Sequence, residues 1–94
     1  MSYATISHWT ATEWTDAMET LAREKFVPLI MSVGAGRVRM IRTGELSFCV
    51  VTEYPDAKTA EAAQSKIAEI RSQAANELPM TMNSAHGGII FAEG

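Results

Sequence analysis

The stretch Arg37 to Tyr54, RVRMIRTGELSFCVVTEY, constrains the fold more than any other part of the chain. Val38 and Met40 alternate with Arg37, Arg39 and Ile41, the two-residue period of a strand. Thr43-Gly44-Glu45 supplies a turn, with Gly44 free to take a positive φ. The second arm places Leu46, Phe48, Val50, Thr52 and Tyr54 on one face and Ser47, Cys49, Val51 and Glu53 on the other. Cys49 and Val51 keep that second face from being polar. A strand apolar on both faces is usually covered on both, so this hairpin needs cover on each side.

The flanking segments supply it. Ser2 to Trp9 has strand character, with Tyr3, Thr5, Ser7 and Trp9 alternating with Ala4, Ile6 and His8. Thr10-Ala11-Thr12-Glu13 fits a capping box, in which the Thr10 hydroxyl accepts from the Glu13 amide. A helix is predicted to follow, its inward stripe made of Trp14, Ala17, Met18, Leu21, Ala22 and Lys25. Pro28 lacks an amide donor and predicts a kink or restart, and Gly34-Ala35-Gly36 predicts a stop. Beyond the hairpin, Asp56 is the expected N-cap of a second helix. Ala60, Ala63, Ile67, Ile70 and Ala74 form its inward stripe, and Leu78-Pro79 ends it. Met80 to Ser84 reads as an irregular connection, and Ile89 to Ala92 as a short final strand.

The order is therefore β-α-β-β-α-β, the ferredoxin-like pattern: an α+β fold with two helices on one face of a four-stranded antiparallel sheet. Strands 1 and 3 are expected at the centre and strands 2 and 4 at the edges. Residues 1–94 are expected to form a single domain, with no spare segment. This element order, together with a sheet apolar on both faces, resembles the dimeric α+β barrel superfamily, which includes the antibiotic-biosynthesis-monooxygenase-like proteins. The resemblance implies a homodimer in which two sheets meet back to back with the helices outside. It also implies chemistry of the cofactor-free oxygenase, decarboxylase or isomerase kind, so no cofactor is expected. No catalytic residue of those enzymes matches this chain position by position.

Composition excludes several classes. The net charge is −3 and the eight Lys and Arg are scattered, apart from Arg37, Arg39 and Arg42, so no nucleic-acid partner is expected. No apolar run approaches the roughly 20 residues of a membrane span, and MSYATISHW lacks the pattern of a signal peptide. A single cysteine makes no internal disulfide, which suits the cytoplasm. There is no His-x-His or His-x-x-x-His pair, and Cys49 has no Cys or His nearby in sequence, so no metal site is expected. Cys49 itself reads as a small buried hydrophobe. No Cys-x-x-Cys or Gly-rich phosphate loop follows strand 1, and no G-x-S-x-G turn is present.

Antiparallel pairing would bring His8 and Trp9 beside Leu46 to Phe48 on one side and His86 to Gly88 on the other. Arg42 and Trp14 would belong to the same end. His8 and His86 are thus candidate catalytic residues, as acid, base or polariser. Trp9, Trp14 and Arg42 are candidate substrate-binding residues for a small apolar molecule in a cleft between sheet and helices. Each also has a plainer account: His8 as a half-buried histidine bonded to backbone, Trp14 as core, His86 as a solvated loop residue, Arg42 as an edge-strand charge. A catalytically silent dimer that binds a ligand or a protein is the alternative to an enzyme.

Overall fold

The computed structural model describes residues 1–94. β1 (Tyr3–Ala11), β2 (Arg37–Arg42), β3 (Ser47–Tyr54) and β4 (Met80–Ile89) form one antiparallel sheet in the order β2-β3-β1-β4. The expected strand order is the observed one. Trp9 pairs with Phe48, and Met40 with Val50. Cross-strand partners share a face, so Trp9, Phe48, Val50, Thr52 and Tyr54 all lie on the inner, helix-covered side. All five are buried.

β1 is longer than expected, and this moves the first helix. Thr10 is a strand residue paired with Ser47 and Thr81, not a helix cap. Ala11 is buried, its amide donating to the Leu46 carbonyl at 2.8 Å, and the Thr12 amide donates to Pro79 at 2.9 Å. Backbone pairing on both sides thus outcompetes a cap at Thr10. The cap is Thr15, whose hydroxyl accepts from the Met18 amide at 3.2 Å.

The first helical layer runs as α1 (Asp16–Leu21), a π-helical turn (Ala22–Phe26) and α2 (Val27–Ser32). The restart expected near Pro28 is real and has a local cause. In a regular α-helix the Pro28 ring would press on the Glu24 carbonyl. The widened turn just before it, in which the Val27 amide donates to Ala22, avoids this. The layer ends at Gly34, whose φ of 112° is open to glycine at little cost.

The hairpin turn differs in one detail: Gly34 is the one residue with positive φ, so Gly44 turns the chain without it. Thr43 and Gly44 instead both donate to the Ser47 carbonyl.

α3 (Ala57–Glu77) begins at Asp56 as expected, with the Asp56 carboxylate accepting from the Thr59 amide at 2.7 Å. Ala60, Ala63, Ile67 and Ala74 are its buried residues. The small side chains of Ala60 and Ala63, 1% and 3% exposed, are the most deeply buried of that row.

β4 takes in the segment expected to be irregular, and only Ile89 of the expected final strand belongs to it. It is an edge strand whose side chains are mostly exposed, so no alternation of apolar residues marks it. Between His8 and Trp9 the pairing jumps from Ser84 to Met82, a bulge at Asn83. A Cβ at Gly87 would overlap the Tyr3 hydroxyl, so a side chain there would require the Tyr3 ring to move. No helix is long and apolar enough to cross a membrane.

Candidate functional site

Between sheet and helices lies a cavity of about 430 Å³, within the size range of small-molecule sites. Its floor is the inner sheet face and its roof is α1, the π-turn and the second half of α3. The walls are mostly apolar. Ala22, Arg23 and Phe26 from the widened turn all reach it.

One end is an aromatic column. Trp9 stacks on Phe48 with ring centroids 5.9 Å apart and planes 11° from parallel. Trp14 meets Phe48 edge-on at 5.7 Å, and the Arg42 guanidinium lies over Trp14 at 4.4 Å from its centroid. Each aromatic pair contributes about 0.5–1.5 kcal/mol beyond area burial. The polar ends of the column are held inside it. Trp9 Nε1 donates to Ser7 Oγ at 2.8 Å, and Trp14 Nε1 to Glu19 Oε2 at 2.6 Å. Arg42 donates to the Gly44 and Glu45 carbonyls at 3.2 and 2.6 Å. Trp9, Trp14 and Arg42 therefore do gather on one cavity wall.

The two histidines do not join them. His8 neighbours Trp9 in β1, and strand parity sends the two side chains to opposite faces. His86 pairs with Ile6, which puts it on the outer face as well. The structure brings His8 and His86 together, ring centroids 6.5 Å apart, but on the far side of the sheet from the cavity. Ser84, rather than His86, is the partner of His8, because β4 starts at Met80 and shifts the register.

Around the histidines the outer face is largely apolar. Ile6 and Ile41 are 39% and 46% exposed, and Val51 and buried Cys49 lie between them. Arg37 and Arg39 approach Glu53 at 4.0 and 3.6 Å toward one edge, contacts worth little at such exposure. No group of three His, Cys, Asp or Glu is placed to hold a metal ion.

The other end of the cavity is more polar. Thr5 and Thr52 line it together with Arg71 of α3. Arg71 is half-buried, has no carboxylate within 4.0 Å, and makes no hydrogen bond. Burial holds its guanidinium below the ordinary value, with Tyr54 acting in the opposite sense. Tyr54 is 2% exposed, and its hydroxyl has no hydrogen-bond partner. Burial raises the Tyr54 phenol pKa, and the nearby Arg71 charge draws it down. One signal was available in the sequence. Arg71 falls four residues after Ile67 and three before Ala74, a cation set in the inward row of the helix.

No known family model matches the sequence, and no curated protein does either. Fold comparison is informative. The chain shares a ferredoxin-like fold with solved structures of low sequence identity. Among similar solved structures is SnoaB from Streptomyces nogalater, described as a cofactor-independent oxygenase. It has a TM-score of 0.73 and 11% identity, over 98% of this chain and 95% of that one. A dimeric ferredoxin-like protein from an uncultured marine organism matches with TM-score 0.67 and 12% identity, over 100% and 98%. A candidate antibiotic biosynthesis monooxygenase from Chloroflexus aurantiacus J-10-fl matches with TM-score 0.67 and 12% identity, over 100% and 97%.

Proposed function

We propose that the protein binds a small, largely apolar molecule in the cavity between sheet and helices and transforms it by oxygenase- or isomerase-type chemistry without a resident cofactor. The observation that carries this reading is an apolar cavity of about 430 Å³ ending in a ring column, Trp9–Phe48–Trp14, on which a flat ligand can stack. Trp9, Trp14 and Arg42 are its substrate-binding wall. The description of SnoaB as a cofactor-independent oxygenase supports the reaction class. The polar groups available to such chemistry are Glu19, Arg23, Arg71 and the hydroxyls of Thr5, Ser7 and Thr52. His8 and His86, on the outer face, have no part in it.

A silent ligand-binding module is favoured by one specific observation. Glu19 is the one carboxylate lining the cavity, and it is already engaged by Trp14. The two readings separate in a paired assay of thermal shift and oxygen uptake with a panel of small phenols and quinols. Stabilisation of the wild type, lost in Trp14→Ala and accompanied by oxygen consumption or product, is the expected result. Stabilisation without turnover selects the binding module, and no stabilisation by any compound refutes the cavity as a site.

The same proposal includes a homodimer covering the outer face, because a monomer rarely leaves such an apolar patch in water. A neighbour described as dimeric supports it. The single free Cys49 fits a cytoplasmic location.

A further inference from the structure

We propose that Arg71 is the anion-binding group of the cavity, and that the ligand is an aromatic-sized apolar molecule carrying a carboxylate. This rests on the reading of the cavity as a small-molecule site and names what that site selects.

Two observations bear on Arg71 and a third on the cavity as a whole. First, Arg71 is a half-buried guanidinium on the cavity wall with no carboxylate within 4.0 Å and no protein hydrogen bond, so its donors are free for an anion that enters the cavity. Second, Tyr54, close enough for its charge and that of Arg71 to act on each other, keeps a buried hydroxyl without a partner behind the cavity wall. A buried hydroxyl without a partner is rare in folded proteins. Third, the formal charge of the cavity lining is positive. Arg23, Arg42 and Arg71 face one carboxylate, Glu19.

The other cations are less suited to the task. Arg42 is spent on the Gly44 and Glu45 carbonyls and on the Trp14 ring. Arg23 is exposed, where water competes for any anion. Arg71 alone combines shelter with free donors, and its planar fork suits a bidentate carboxylate. It also lines an adjoining, more open depression with Tyr3, Thr5, Glu61, Gln64 and His86. Its charge therefore stands between the aromatic column and a more open region. A ligand bound this way stacks its rings toward Trp9 and Phe48 and directs its carboxylate at α3, with Thr5 or Thr52 as additional donors.

The test is isothermal titration calorimetry of the full chain with 2-naphthoate and its neutral counterpart 2-naphthalenemethanol. The wild type should bind the carboxylate at least about tenfold more tightly, the factor one charge-assisted hydrogen bond supplies. Arg71→Met should bring the two affinities level while leaving the neutral compound bound. Arg71→Gln keeps a polar side chain at the position should methionine disturb folding, and it should behave alike. Equal affinities in the wild type, or a preference that survives in either folded variant, overturn the assignment and leave the cavity reading standing. Failure of the wild type to bind either compound overturns both.

Discussion

Replacing Tyr54 by Phe removes one oxygen and leaves the ring, so it isolates the buried hydroxyl. That hydroxyl has no hydrogen-bond partner inside the protein, yet its residue is 2% exposed. Burying a hydroxyl without a partner costs about 1–3 kcal/mol. Phenylalanine avoids that cost and loses only the contacts of one atom, so a net gain of about 1 kcal/mol is expected. For a chain of 94 residues that gain corresponds to a melting temperature higher by about 4–8 °C. Alkaline pH supplies a second reading. Burial raises the Tyr54 pKa above its ordinary 10.0, so the folded state holds the proton more tightly than the unfolded chain. Stability from this group is complete below about pH 10 and is lost as pH climbs toward the folded value. The advantage of Tyr54→Phe should therefore widen above pH 10. Calorimetric melts of both proteins at pH 7 and across pH 9–11 measure both effects. A variant less stable than the wild type by 1 kcal/mol would refute the reasoning, because it would mean that the hydroxyl is satisfied in solution.

Three further predictions address the fold and the assembly. Thr15→Ala should lower stability by about 1 kcal/mol, the usual loss of a helix cap, while Thr10→Ala should leave helix content unchanged; circular dichroism melts compare them. The Thr59 backbone and side chain hold the Asp56 carboxyl below its ordinary 3.8, so the stability it provides is present above about pH 4 and lost as pH falls through the folded value. Asp56→Asn still caps the helix but cannot titrate, and melts between pH 2 and 5 should show a flatter acid limb. Val51→Asp should convert a dimer into a monomer by setting an unpaired charge in the covered face; light scattering at micromolar concentration checks it, and a monomeric wild type removes the proposal of a dimer.

The architecture was legible because its strongest signals are local and mutually consistent. The hairpin pattern of Arg37 to Tyr54, the Asp56 cap and the alanine row of α3 each point to the observed element. The errors share a cause, which is backbone pairing that leaves no trace in side-chain pattern. Thr10 looks like a cap because threonine and Glu13 stand at the right spacing, yet strands on both sides claim its residue for the sheet. β4 shows no alternation because an exposed edge strand is held by hydrogen bonds to β1, and those do not depend on which side chains it carries.

The site divides along the same line. Trp9 and Arg42 fall near one another because the sheet register sets both opposite Phe48. His8 is the neighbour of Trp9 along the strand, but proximity is misleading there. Adjacent strand residues are neighbours in sequence and on opposite faces in space. Applied to Ile6 and His86, the same parity yields a histidine pair on the outer face and none in the cavity. Arg71 presents the converse case. A cation at an inward helical position contradicts the expectation that such positions are apolar, and that contradiction is itself the signal. Sequences conflict with their fold most often where function requires it, and in α3 the one conflicting residue stands beside the one buried hydroxyl that the fold leaves without a partner.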